Sequence, residues 1–228
     1  MTAKSIMVFA AGLGTRMRPL TDDKPKSLIR IGHTTLLDHA LSFATSSGIK
    51  TIVVNAHYRA AQIRNHVSDR DIVISEETGR PLETGGGLKQ ALPLLDGSPV
   101  YTLNSDAVWK GPNPLSVLAS AWRADVEACV LLVPKDRSHC HPGKGDFAIG
   151  KSGRLHRSPD MIYTGAQLIA TDRVRSYPDE VFSMNAVWDQ MIADGRAIGA
   201  VYPGEWCDVG QPQSLPKAEM LLGPPSSV

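Results

Sequence analysis

The sequence predicts an α/β fold: a doubly wound, mostly parallel sheet with helices on both faces. Three observations carry that prediction. Ser5–Ala11 is almost wholly apolar with no alternation, the pattern of a central strand covered on both sides. Short β-branched runs then alternate with segments of helical apolar spacing, which argues for repeated strand-helix units. Glycines and aspartates fall just beyond the carboxyl ends of the expected strands, where sheets of this kind take their ligands.

After the first strand the chain turns through Gly12 and Gly14. Thr34 or Thr35 then caps a helix in which Leu36, Leu37, Ala40, Leu41 and Ala44 share a face, and Gly48 ends it. The residues 51–55 predict a strand, 60–67 a helix and 71–75 a third strand. Leu82–Gly87 follows as a glycine loop, with a helix opening at Leu88 and carrying Ala91, Leu92 and Leu95. The residues 100–104 predict a fourth strand, 115–124 a helix helped by Pro114 near its start, and 127–133 another buried strand. Beyond Pro134 the texture turns polar, and 146–150 with 154–156 reads as a β-hairpin. The stretch from about 135 to 160 is therefore expected as a small insertion over the active site. A strand over 161–169, a helix over 185–193 and a last strand over 196–202 complete the alternation, and 215–222 closes it as a helix. Trp122 and Trp188 fall on apolar helix faces and read as core residues.

At 228 residues, 42% of them hydrophobic, the chain fits one large domain over 1–222, with 223–228 as a disordered tail. A net charge of +1, from 24 basic and 23 acidic residues, gives no overall field to recruit nucleic acid or anionic lipid. Three cysteines without a C-x-x-C pair fit a reduced compartment, and no apolar run approaches the length of a membrane span. The expectation is a soluble cytoplasmic protein acting on small molecules.

The chemistry concentrates at the first strand's exit. Glycine amides at Gly12 and Gly14 allow close backbone approach to a ligand, and Arg16, Arg18, Lys24 and Lys26 crowd the same lip, so phosphate is the natural counter-charge. The stretch is neither a P-loop, which needs G-x-x-x-x-G-K-[ST], nor a dinucleotide fingerprint, whose third glycine would fall at Met17. Asp106 in Leu-Asn-Ser-Asp and Asp208 in Trp-Cys-Asp-Val-Gly each follow a strand, where an aspartate serves as a cap or as a ligand; two carboxylates are a sufficient protein share for Mg²⁺. His139-Cys140-His141 offers zinc-type donors, but adjacent residues rarely converge on one ion.

The whole string G-x-G-T-R-M-x-P-L-T, followed by K-P-K-S-L, resembles the signature of the sugar-1-phosphate nucleotidylyltransferases. That resemblance implies a Rossmann-like nucleotide-diphospho-sugar transferase fold, and an enzyme that joins a nucleoside triphosphate to a sugar 1-phosphate and releases pyrophosphate. By the same resemblance Ala11, Gly12, Gly14 and Thr15 bind nucleotide, Arg16 and Lys26 act on the phosphates, and Asp106 and Asp208 hold Mg²⁺. Glu83 and Gly86 would line the base, and Asn104, Asp146, Tyr163, Thr164 and Gly165 the sugar. Ser27, Ser105 and Ala166 depart from the family's usual proline, glycine and isoleucine, and its V-E-K-P-type segment is absent.

L-E-T-G-G-G, together with Gly145-Asp-Phe-Ala and Tyr-Thr-Gly, resembles in particular the N-acetylmuramate 1-phosphate uridylyltransferases of peptidoglycan recycling. UTP and a muramic sugar phosphate are then implied, and the sugar's lactyl carboxylate calls for a cation: Lys144, Arg137 or Arg157. The lack of the C-terminal extension that larger relatives carry implies a monomer. A sugar phosphate is mostly dianionic at neutral pH, so direct in-line displacement requires no Ser-His or Cys-His pair. Two other readings remain: a guanylyltransferase acting on mannose 1-phosphate, and a nucleotide-sensing module without turnover.

Overall fold

The computed structural model describes residues 3–224. Its centre is β1 (Ser5–Phe9), with all but its last residue buried. Parallel partners flank it: β4 (Thr51–Ala56) on one side, itself followed by β5 (Val73–Glu76), and β6 (Val100–Asn104) on the other. These four strands form the expected parallel half, and their carboxyl ends meet along one edge. A two-residue hairpin of β2 (Arg30–Ile31) and β3 (Thr34–Thr35) stands apart from the main sheet.

Beyond β6 the direction changes. The strand β12 (Met161–Ile169) pairs antiparallel with β6 and with β8 (Ala128–Pro134), and β8 pairs parallel with β13 (Ala197–Val201). The predicted hairpin exists as β10 (Phe147–Ile149) and β11 (Leu155–Arg157), which extend the main sheet from the start of β12. The other piece of the expected insertion, β9 (Ser138–His139), joins β7 (Ala107–Lys110) and β14 (Glu205–Asp208) in a separate three-stranded sheet. The 135–160 segment is thus divided between two sheets. Asp208 also ends a strand of the small sheet and does not directly follow the main sheet's β13.

Helices cover both faces. On one, α1 (Leu36–Ser46), α2 (Ala60–His66) and α4 (Pro114–Ala121) bury Leu37, Leu41, Ile63 and Leu118 against Ile6, Val8, Val54 and Leu131. Each leucine buried this fully is worth about 1.5–3 kcal/mol relative to exposure. Thr35 caps α1 as expected, its hydroxyl accepting the Asp38 N–H at 3.0 Å. On the other face α3 (Glu83–Ala91), α5 (Asp172–Ser176) and α6 (Met184–Ala193) pack Leu88, Val174, Val187 and Trp188 over Met7, Val130 and Phe147. Trp188 is core as expected, whereas Trp122 is the residue that ends α4 and is only half-buried.

A third, smaller core sits where α7 (Leu215–Leu222) closes the chain. Ala218 and Leu221 pack there with Met17, Ile29, Leu36, Val108, Cys207 and Val209. It clamps the turn after the glycine loop to the three-stranded sheet, and so fixes Arg16 beside Asp208. Among the described residues no helix is long and apolar enough to cross a membrane. The expected tail lies outside the described residues from position 225 onward.

Candidate active site

The parallel strands' carboxyl ends enclose a cleft of about 210 Å³, lined by the β1 exit from Phe9 to Gly12, by Lys26 and Ser27, by Glu77, Glu83 and Thr84, and by Asn104–Asp106. A second cavity of about 230 Å³ shares Phe9, Thr84 and Asn104 with it and continues to Tyr163, Gln167, Ser183, Met184, Asn185 and Trp188. The two chambers adjoin across these three shared residues.

Hydrogen bonds hold the loop's entry. The Ala10 N–H donates to Asn55 Oδ1 at 2.7 Å, and Asn55 Nδ2 donates to Glu77 Oε1 at 2.6 Å. Glu77 Oε2 in turn accepts the Leu82 N–H at 2.9 Å. Ser105, where the resemblance expects glycine, returns its N–H and its hydroxyl to the Phe9 carbonyl at 3.1 and 2.6 Å. That departure therefore cross-links β1 and β6 at the cleft floor. Gly14 adopts φ +65, and a Cβ there would come 3.0 Å from Thr21 Cγ2, so glycine is required at this turn. Gly12 has open space around it.

Lys26 Nζ donates to Asp106 Oδ2 at 2.8 Å, with the lysine largely buried. Asp106 and Asp208 lie on neighbouring strand ends: Asp208 pairs with Ala107, and the Val209 N–H donates to the Asp106 carbonyl at 2.9 Å. Burial first, then the Asp106 carboxylate, holds the Asp208 carboxyl above its ordinary range, while Lys26 and His141 pull it down. His141 Nδ1 stands 3.3 Å from Asp208 Oδ2. Arg16 is exposed, and a Cβ built on Gly210 would lie 3.2 Å from Asp208 Oδ1 and 3.6 Å from Arg16 Nη1, so the three residues adjoin. Lys26 and Asp106 thus line one end of the cleft, and Asp208 and Arg16 adjoin that end without lining either chamber.

The donor set suits a hard divalent cation. Asp106 at the cleft wall and Asp208 beside it could supply oxygen ligands, and magnesium commonly takes only one or two from the protein, with water and phosphate completing its shell. His139 pairs with Glu205 at 2.9 Å and His141 with Asp208, so the two histidines diverge. Among the described residues no three His, Cys, Asp or Glu side chains converge as metal ligands.

Several expected residues stand differently from the sequence reading. The L-E-T-G-G-G run is the first part of α3 and not a loop: the helix begins at Glu83, and Gly85, Gly86 and Gly87 are buried within it. The Gly85 and Gly86 N–H groups both donate to the Phe182 carbonyl, at 2.9 and 3.1 Å, and a Cβ on either would overlap Phe182 or the Glu180 carbonyl. These glycines are needed for close packing against the α5–α6 connection, while Glu83, at φ +61, and Thr84 face the cleft.

Thr164, expected at the sugar, does not line the second chamber: it is buried, and its hydroxyl donates to the Leu131 carbonyl at 2.7 Å. Asp146 lines neither chamber; its Oδ2 accepts the Tyr163 N–H at 2.9 Å and so positions that tyrosine. Gly165, at φ +84, lets the Asn104 side chain pass 2.7 Å from where its Cβ would be. Gly14 and Thr15 sit at the outer lip, while Ala11, Gly12, Glu83, Asn104 and Tyr163 line the two chambers.

Asn55, Glu77, Thr84, Gln167 and Asn185 were not read from the sequence as site residues. The fold brings Glu77, Thr84, Gln167 and Asn185 to the chamber walls from segments distant in sequence, with Asn55 bonded to Glu77 beside them.

Residues 6–176 match the family described as the MobA-like NTP transferase domain. The chain is 37% identical to an N-acetylmuramate alpha-1-phosphate uridylyltransferase of Caulobacter vibrioides, over 96% of this chain and 97% of that protein. It is 30% identical to a protein of the same name from Neisseria meningitidis serogroup B, over 95% and 97%. Its fold resembles HddC from Yersinia pseudotuberculosis complexed with GMP-PN, with a TM-score of 0.79 at 20% identity, covering 96% of this chain and all of that one.

Proposed function

The chain belongs to the MobA-like NTP transferase domain family as a sugar-1-phosphate nucleotidyltransferase, and from that premise we propose that it transfers uridylyl from UTP to N-acetylmuramate 1-phosphate. The observation that carries this reading is the pair of adjoining chambers with Lys26 and Asp106 lining one end and Asp208 and Arg16 beside them. The identity to the Caulobacter and Neisseria proteins supports the choice of base and sugar.

In this reading the first chamber takes the nucleoside, with Glu83 and Thr84 at the base, and the second takes the sugar against Asn104 and Tyr163. The barrier is the approach of one phosphate to another. Arg16 grips the triphosphate, and Lys26 shifts from Asp106 to the α-phosphate as charge builds there. Asp106 and Asp208 would hold Mg²⁺, which supplies positive charge to the phosphate oxygens. The sugar phosphate attacks in line, and pyrophosphate leaves without a covalent enzyme intermediate. The same reading makes the protein a cytoplasmic monomer serving peptidoglycan recycling.

The test is to incubate the protein with each nucleoside triphosphate and each of several sugar 1-phosphates, with and without Mg²⁺, and to follow pyrophosphate. UTP with N-acetylmuramate 1-phosphate is expected to be the fastest pair and to stop on chelation. Faster turnover of GTP with mannose 1-phosphate replaces this reading with a guanylyltransferase, and tight UTP binding with no turnover replaces it with a nucleotide sensor.

A further inference from the structure

Three cations compete for an acidic group on the sugar, and their surroundings separate them. Arg137 donates from Nη1 to the Pro203 carbonyl at 2.7 Å, and Lys144 stands exposed between β9 and β10. Neither lines the second chamber nor hydrogen-bonds to a residue that does, among the described residues. Arg157 does: its Nη2 donates to Asn185 Oδ1 at 2.9 Å, and Asn185 is in the chamber wall.

Its guanidinium is held in place by aromatic faces. The guanidinium carbon lies 4.5 Å from the Phe147 ring centroid and 6.0 Å from that of Trp188, another wall residue. Trp188 is fixed in turn by a 2.8 Å hydrogen bond from its indole N–H to Gln167 Oε1 and by edge contact with Tyr163 at 4.7 Å between centroids. The lining of the chamber itself carries no charged side chain. A carboxylate projecting from a bound sugar therefore finds no cation within the wall, and Arg157 is the one of these three cations that is bonded to it.

Resting on the reading that this chamber takes the sugar, we infer that Arg157 is the specificity-determining residue for a sugar 1-phosphate that bears a second acidic group, a carboxylate on an ether arm. Its present partner, Asp189, bonds Nε at 2.8 Å but is 59% exposed, so the pair is screened and exchanges readily. Nη1 has no hydrogen-bond partner among the described residues. A planar guanidinium with free N–H groups meets a carboxylate bidentately, which a neutral hydroxyl in the same place cannot match.

The test compares N-acetylmuramate 1-phosphate with N-acetylglucosamine 1-phosphate, which lacks only the lactyl ether, each with UTP. The measured quantity is the ratio of their kcat/KM values within one preparation, because a loss of folded protein lowers both and cancels. Wild type is expected to favour the acidic sugar. Arg157→Gln is expected to shrink that ratio about ten-fold or more, chiefly through KM for the acidic sugar, and Arg157→Lys to restore part of it. A preference that survives Arg157→Gln intact overturns this assignment alone. A wild-type enzyme indifferent to the lactyl group overturns the choice of sugar on which it rests.

Discussion

Lys26 Nζ and Asp106 Oδ2 are 2.8 Å apart, which joins the turn after the glycine loop to the end of β6 across 80 positions of sequence. The lysine side chain is 12% exposed and the aspartate 38%. The lysine proposed to act on the phosphates and the carboxylate proposed to hold the metal thus neutralise each other. A nucleotide and its divalent ion would each take one partner, so binding exchanges one ion pair for two better-placed contacts.

The pair can be probed by removing one charge. Asp106→Asn keeps the shape and abolishes a ligand, and turnover is expected to fall by about 100-fold or more, the usual scale for one electrostatic contact in a transition state. Thermal stability should barely move, since a partly exposed pair contributes about 1 kcal/mol or less. Pyrophosphate release and a melting curve on the same sample check both; near-normal turnover removes Asp106 from the metal site.

Two glycines in neighbouring motifs should behave oppositely. A Cβ on Gly12 meets nothing within 4 Å, so Gly12→Ala should fold normally and fail, if anywhere, in nucleotide binding. A Cβ on Gly86 would overlap the Glu180 carbonyl, which is backbone and yields little, so Gly86→Ala should cost on the order of 1–3 kcal/mol or more of stability. Denaturant midpoints for the two variants, with UTP affinity measured for Gly12→Ala, read the contrast. Equal stability of the two would mean that α3 does not pack against the α5–α6 connection as described.

The sequence was informative where function leaves a local pattern. The apolar run of β1, the Thr35 cap and the glycine turn are each set by residues adjacent in the chain, and the structure has all three. Placement that depends on strand order was not legible. The antiparallel entry of β12 between β6 and β8, and the union of β7, β9 and β14 in a second sheet, rest on pairings between distant segments. The glycine run of α3 was misread because buried helix glycines and loop glycines look alike in sequence; only Phe182 and Glu180, packed against them, distinguish the two.

His39 gives the fold a pH limit away from the cleft. Its Nε2 accepts the Trp109 N–H at 3.2 Å, and burial, helped by His33, pushes its imidazole down to about 4. In the unfolded chain it takes up a proton near pH 6.5, so between those values the unfolded state binds more protons and stability falls as pH falls. The full loss from this residue, complete below pH 4, is about 3 kcal/mol. Denaturant unfolding at several pH values should show that slope in wild type and a flatter one in His39→Gln, which keeps an acceptor but does not titrate. An unchanged slope assigns the acid sensitivity elsewhere.

Asn55 should matter to substrate binding although it touches no part of the expected reaction centre. It is buried between the Ala10 N–H and Glu77, accepting from one at 2.7 Å and donating to the other at 2.6 Å. Asn55→Ala leaves a buried amide and a buried carboxylate short of a partner, at a cost of about 1–3 kcal/mol in stability. The glycine loop, no longer tied to β4 and Glu77, should hold the nucleotide less well, so KM for UTP is expected to rise several-fold while kcat falls less. Asn55→Asp keeps an acceptor for Ala10 but sets two carboxylates face to face, and should be the less stable of the two near neutral pH, recovering as the medium is acidified enough to protonate one of them. Stability profiles of both variants, with steady-state kinetics of Asn55→Ala, separate a loop-positioning role from a purely structural one: a fall in stability with KM unmoved leaves Asn55 as core alone.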